Sequence, residues 1–161
     1  MKIVLQKVKE ARVEVAQKIA GRIGKGYLLL VGFDRNDTVN LLQPMLEKIL
    51  VLCLFSDKVG RMAHSIAEVS GALLIVSQFT LSANLKKGKK PSFSRAMEPD
   101  KAKELYRRFL MLAKKSAVQV QSGEFGAKMQ VSLQNDGPVT LVLDSEELFP
   151  SLYAYRPGRR D

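Results

Sequence analysis

The sequence predicts a single α+β domain with a mostly antiparallel sheet, curled or barrel-like, and two main helices. Three observations support this reading. The chain has 161 residues, the length of one domain, and shows no internal repeat or linker. Short runs of branched and aliphatic residues with period-two alternation outnumber the helical patterns. The two long amphipathic stretches do not alternate regularly with those runs, as βαβ units would. Hydrophobic residues make up 46% of the chain, aromatics only 7%, and Trp is absent, so aliphatic side chains must carry the packing.

Residues 3–8 open as a strand, and residues 11–15 alternate strictly, with Ala11, Val13 and Val15 on one face. Gly21, Gly24 and Gly26 read as turn formers; no helix follows them, so they are not a dinucleotide fingerprint. Residues 27–33 form a buried strand. Asn36-Asp37 offers a cap for a helix over 38–50, which Pro44 should kink or restart. Residues 51–55 read as a short strand, with Cys53 as a small buried hydrophobe. Residues 73–76 are a second buried strand that continues through Ser77-Gln78-Phe79-Thr80-Leu81.

Residues 82–97 are a loop with Lys86, Lys87, Lys89, Lys90 and Arg95 set around Gly88, Pro91 and Phe93. The best helix spans 99–115, with acids at its start, Lys114 and Lys115 at its end, and Ala102, Leu105, Tyr106, Phe109, Leu112 and Ala113 as its buried stripe. Residues 118–121 form a strand. Residues 129–134 and 139–144 then read as two strands of a hairpin turned at Asn135-Asp136-Gly137-Pro138. A sharper reading of the same turn is that it presents bare backbone: Gly lets another group approach, and Pro fixes the chain direction. Residues 145–161 read as a basic tail ending in Arg156-Pro157-Gly158-Arg159-Arg160.

Lys and Arg number 26 and Asp and Glu 16, a net charge of +10. Such a balance suits polyanions such as nucleic acid. No signal peptide or membrane span is legible, which fits a cytoplasmic protein. The chemistry on offer is narrow. With one His and one Cys, no Cys/His metal cluster can be assembled, and no metal or cofactor is expected. His64 lies in a polar stretch, no serine sits in a nucleophile-elbow pattern, and there is no Walker loop. What remains is hydroxyl, amide and backbone. Gln78 can donate through its amide, the Phe79 and Thr80 N–H groups can polarise a carbonyl, and Thr80 lacks a neighbouring base. The cations of the following loop can neutralise phosphates.

Ser77-Gln78-Phe79-Thr80-Leu81 and Asn135-Asp136-Gly137-Pro138-Val139-Thr140 resemble the two signature motifs of the D-aminoacyl-tRNA deacylases. Gly21-Arg22-Ile23-Gly24-Lys25-Gly26, the Pro91-Ser92-Phe93-Ser94 run and Phe125-Gly126-Ala127 resemble that family in order and spacing, over residues 1–144. The resemblance implies a cytoplasmic homodimer with active sites at the subunit interface. It implies hydrolysis of the ester joining a D-amino acid to the 3′-terminal adenosine of tRNA, and removal of glycine wrongly attached to tRNA. In these terms Gly137-Pro138 is a cis element, flanked by Val139 and Thr140, that reaches into the partner's pocket and excludes L side chains. Ser77, Gln78, Phe79 and Thr80 hold the adenosine and the ester. Thr80 is either the nucleophile or a bystander while the 2′-hydroxyl of the RNA assists; the missing base favours the second. Lys86, Lys87, Lys89, Lys90 and Arg95 contact tRNA. Lys7 stands where the family usually has an Arg that braces the Gly-Pro element, and Lys lacks the planar fork. Two other readings remain: a non-catalytic tRNA- or RNA-binding domain, and a related editing deacylase with relaxed chirality.

Overall fold

A computed structural model describes residues 1–86 and 88–153. The two opening strands are one: β1 runs without a break over Lys2–Val15. A two-residue turn at Ala16 and Gln17, with φ of 48° and 65°, returns the chain into β2, Lys18–Ile23, and then β3, Gly26–Gly32. These two lie end to end along one side of β1, β3 against its first half and β2 against its second. Positive φ at both central residues gives a turn whose twist matches the strands it joins. Ala-Gln is not a sequence that announces such a turn, which is why β2 was not expected.

β6, Ala72–Ser77, pairs parallel with β3, and β7, Gln119–Ser122, pairs parallel with β6. The remaining ladders of this sheet are antiparallel, so the mostly antiparallel α+β expectation holds. The sheet curls until β2 reaches β7: a Cβ on Gly21 would lie 2.8 Å from the Ser122 carbonyl oxygen. A Cβ on Gly26 would lie 1.9 Å from the Ala72 carbonyl oxygen. Gly21 and Gly26 are therefore sites of close backbone approach rather than turn formers; Gly24 sits in the bend.

The run at 73–76 is uninterrupted because both its faces are buried. Leu74 and Val76 join Val8, Val13 and Leu28 inside the curl. Leu73 and Ile75 join Leu5, Leu29, Tyr106 and Phe109 on the other face, beneath the helices. The first helical region starts as a 3-10 turn, Val39–Leu41, and becomes α1, Leu42–Val51, with Pro44 in its first turn, where the missing N–H costs nothing. Asp37 caps no helix. It is buried against the Met1 amino group at 2.5 Å and accepts a hydrogen bond from Tyr153 at 2.8 Å. The helix ends at Val51, which leaves Cys53 exposed instead of buried, and the strand expected at 51–55 reduces to Phe55–Ser56 (β4) paired with Met62–His64 (β5).

α2, Pro99–Lys114, follows the sequence expectation closely. Pro99 opens it, the Glu98 carboxylate accepts from the amides of Asp100 and Lys101, and Lys114 lies in the last turn. Beyond β8 (Met129–Asp144), residues 145–148 form a short helix, α3, and Pro150–Tyr153 a 3-10 turn, which dock on the N-terminus through Ser145 and Tyr153. The basic run at 156–160 lies outside the described residues.

The expected hairpin at 135–138 is absent. β8 continues through it and pairs with β1 on both sides, over 129–135 and 140–144. Asn135 pairs with Val8 and Thr140 with Gln6, so residues 136–139 bulge out opposite Lys7 alone. The punctuating residues mark an excursion from a strand, not a reversal.

Candidate active site

β6 ends at Ser77, not Leu81, because the chain tightens there into a 3-10 turn, Phe79–Ser82. Two contacts hold this corner. The Gln78 amide donates to the Val31 carbonyl at 2.7 Å, and the buried Ser82 hydroxyl donates to the Phe33 carbonyl at 3.3 Å. Gly32 makes the corner possible: a Cβ there would lie 2.7 Å from the Gln78 carbonyl oxygen. The Phe79 and Thr80 amides lie in the first turn, where helical N–H groups lack intrahelical acceptors.

Ser77, Gln78 and Phe79 form one wall of a cleft of about 690 Å³. Met97, Glu98, Pro99 and Ala102, at the start of α2, form a second wall, and residues 125–127 with Met129 and Val131 a third. Phe93 meets Phe79 edge to face at 5.0 Å at its margin, and Phe79 is 58% exposed. Tyr106 supports two walls at once. Its ring lies 5.6 Å from that of Phe125, and its hydroxyl donates to the Ile75 carbonyl at 2.8 Å. Burial raises its pKa above the ordinary tyrosine value.

The Thr80 hydroxyl accepts a hydrogen bond from the Gln78 side-chain amide. Glu98, the carboxylate in the cleft wall, is turned to the α2 amides. His64 lies in β5 and takes no part in the cleft lining. Among the described residues no group of three or more His, Cys, Asp or Glu is placed to hold a metal. Nor is any described helix long and apolar enough to cross a membrane. The corner thus offers amide donors and a hydroxyl, with no general base beside Thr80 in the hydrogen-bond pattern.

Gly137, Pro138, Val139 and Thr140 are not part of the cleft lining of their own chain. Gly137 and Pro138 are exposed at the crest of the bulge, the bond between them is cis, and Gly137 has φ 145°, a value that favours glycine. Asn135 closes the bulge, a role its place in a turn motif did not suggest. Its Oδ1 accepts from the Val139 amide at 2.8 Å, and its Nδ2 donates to the Val139 carbonyl at 3.3 Å and the Thr140 hydroxyl at 2.9 Å. Lys7 sits beneath, 6% exposed, with Nζ 3.6 Å from Asp136 and 5.7 Å from the centre of the Phe55 ring.

The basic loop is pinched at its base, where Asn84 and Ser92 exchange both backbone hydrogen bonds at 2.7 and 3.1 Å. Lys86, Lys89 and Lys90 are exposed beyond that pinch. Arg95 is tied back to Asp34 at 3.8 Å, and Lys87 lies outside the described residues.

The sequence profile of the D-Tyr-tRNA(Tyr) deacylase family matches residues 4–144. The chain belongs to that family. Among its relatives, the D-aminoacyl-tRNA deacylase of Thermosipho africanus is 48% identical over 149 residues, covering 92% of this chain and all of the relative. The D-aminoacyl-tRNA deacylase of Kosmotoga olearia is 49% identical with the same coverage. A solved structure of the c-Myc DNA unwinding element binding protein superposes with a TM-score of 0.84 at 40% identity, covering 89% of this chain and 98% of that one. The matched residues include this chain's cleft lining, its bulge and its basic loop.

Proposed function

We propose that this deacylase-family chain hydrolyses the ester of D-aminoacyl-tRNA, and of glycine mischarged to tRNA, in the cytoplasm as a homodimer. The carrying observation is the separation of two parts. The corner that follows the cleft wall Ser77–Phe79 offers amide donors and the exposed Thr80 hydroxyl, while the exposed Gly137-Pro138 crest takes no part in that cleft's lining. An exposed backbone crest that takes no part in its own cleft suits insertion into a partner's. There the Gly137 and Pro138 carbonyls meet the substrate's α-carbon and leave no room for an L side chain.

In this reading Ser77, Gln78 and Phe79 seat the terminal adenosine and the ester. The Phe79 and Thr80 amides polarise the ester carbonyl. Water attacks the carbonyl carbon with the ribose 2′-hydroxyl assisting, the C–O bond to the 3′-oxygen breaks, and that oxygen takes the proton. Free amino acid and tRNA leave. The Thr80 hydroxyl already accepts from Gln78 and has no base beside it, which supports substrate assistance over attack by Thr80. Lys86, Lys87, Lys89, Lys90 and Arg95 contact the tRNA, and Lys7 braces the bulge.

Matched D- and L-aminoacyl-tRNA incubated with the protein test the reading. Cleavage of the D ester alone supports it. Cleavage of neither, with salt-sensitive tRNA binding, makes this an RNA-binding domain. Cleavage of both makes it an editing deacylase of relaxed chirality.

A further inference from the structure

We propose that one flank of α2, carrying Lys103, Arg107 and Lys114, is a second RNA-contacting surface that holds the phosphates of the tRNA stem as it leaves the cleft. The inference rests on the deacylase reading above and adds where the body of the substrate lies. It starts from the helix itself. At about 100° per residue, Lys103, Arg107 and Lys114 fall within about 40° of one another around the helix axis. All three are exposed. Along the axis they are spaced by about 6 and 10 Å, from about 1.5 Å per residue.

The direction of the helix gives this stripe its meaning. Pro99 and Ala102, at the N-terminal end of α2, line the cleft, so the helix starts at the site and runs away from it for about 24 Å. The flank matters equally. Tyr106 lies about 60° from Lys103, on the side away from Arg107 and Lys114, and touches Phe125, which lines the cleft. Lys103 thus follows directly on the cleft-lining residue Ala102, and Arg107 and Lys114 continue the row along the helix away from it. Lys128, exposed beside the wall residue Ala127, adds to the same field.

The neighbouring outward face differs. There Glu104, about 60° from Arg107, binds Arg108 at 2.7 Å and reaches Arg107 at 3.1 Å. Arg107 is the stripe's ion-paired member, to Glu104, and Asp100 in the first turn is an acid on the same side, about 60° from Lys103. An RNA stem carries its charge in ordered rows of phosphates, and a row of exposed cations leading out of the cleft is its electrostatic complement. The pinched basic loop at 84–92 would then grip near the site and α2 further along.

The test compares two substrates, D-tyrosyl-tRNA and D-tyrosyl-adenosine, with a triple variant, Lys103→Glu, Arg107→Glu and Lys114→Glu. A control variant carries the same charge change elsewhere, Lys48→Glu, Lys101→Glu and Lys115→Glu. We expect kcat/KM of the stripe variant on D-tyrosyl-tRNA to fall by roughly tenfold or more, and its log–log salt slope to shrink by roughly 2 to 3 for three lost phosphate contacts. Its hydrolysis of D-tyrosyl-adenosine should match wild type, which also shows that the variant is folded. The control should keep most of its activity on both. Equal losses on both substrates, an equal loss in the control, or no change in the stripe variant would each overturn the proposal. If the wild type cleaves neither substrate, the deacylase reading itself has failed. Filter binding of uncharged tRNA then decides the surface by the same comparison of stripe and control.

Discussion

Replacing Gly32 by Ala tests whether the corner at Gln78 is held where catalysis needs it. Gly32 is the last residue of β3, and its missing side chain is where the Gln78 carbonyl oxygen sits, 2.7 Å from an ideal Cβ. The Leu81 Cβ is 3.1 Å from the same point. Ordinary contact begins at 3.4 Å, so the corner must retreat by 3.4 − 2.7 = 0.7 Å. That movement pulls on the 2.7 Å hydrogen bond from the Gln78 amide to Val31 and shifts the Phe79 and Thr80 amides with it. Overpacking of this kind costs about 1–3 kcal/mol, partly offset by the stiffer unfolded chain that Ala gives. A displacement approaching 1 Å in groups aimed at a reacting carbonyl costs on the order of tenfold to a hundredfold in rate. Single-turnover hydrolysis of D-aminoacyl-tRNA measures the loss. Gly24→Ala is the control, because nothing lies within 4 Å of its Cβ. A Gly32→Ala protein that reacts at the wild-type rate would refute the claim that amide placement at this corner drives the reaction.

Four other outcomes are expected. Thr80→Ala should retain most of its turnover, and a loss of several orders of magnitude would make Thr80 the nucleophile. Charge reversal at Lys89 and Lys90 should weaken tRNA binding and lower its salt slope by roughly 2; an unchanged slope removes the loop from the RNA surface. Asp136→Asn should destabilise the protein more than Lys7→Met in urea unfolding, by about 1–3 kcal/mol, because it strands a cation that is 6% exposed, whereas Asp136 left alone is a third exposed and keeps water. The reverse order would show that Asp136 is not the partner that matters to Lys7. Burial holds Tyr27, Tyr106 and Tyr153 neutral, with pKa values above the ordinary 10.0. Their stabilising effect is complete below that value and is lost as the pH rises past it, so absorbance at 295 nm should show these three titrating only together with unfolding.

The legible parts of this fold were those written in local chemistry. α2 was readable end to end because its cap, its first-turn Pro, its stripe and its terminal Lys all agree. The run at 73–76 was readable as buried because its two faces meet two different cores. What escaped was decided at a distance. The Ala16-Gln17 turn is imposed by the pairing of β1 with β2, and no residue there favours positive φ. Cys53 follows an apolar helix end and looks buried in sequence, yet the helix stops before it and the chain turns it outward. Ser77 to Thr80 read as the continuation of a buried strand, and the 3-10 turn that makes a corner of them depends on Gly32, the last residue of β3, and on Phe33 after it. The opposing walls come from segments that only tertiary folding brings there, Met97 and Glu98 some twenty residues on and Phe125 nearly fifty.

The bulge shows most clearly how one local signal can support two structures. Asn135-Asp136-Gly137-Pro138 between two alternating runs predicts a departure from extended chain, and a hairpin is the commonest departure. Which one forms depends on the partner strand. β1 is long enough for both runs to pair with it in the same direction, so the two halves of β8 stay in line and the four residues between them are pushed outward. In a hairpin these residues would only join two strands. In a bulge each flank is anchored by its own ladder hydrogen bonds, Asn135 ties the two flanks across the gap, and Lys7 fills the space underneath. A tip held from both sides and from below keeps its carbonyls in one place. Selection by exclusion needs that property, and a loop joining two strands at its ends alone would not supply it.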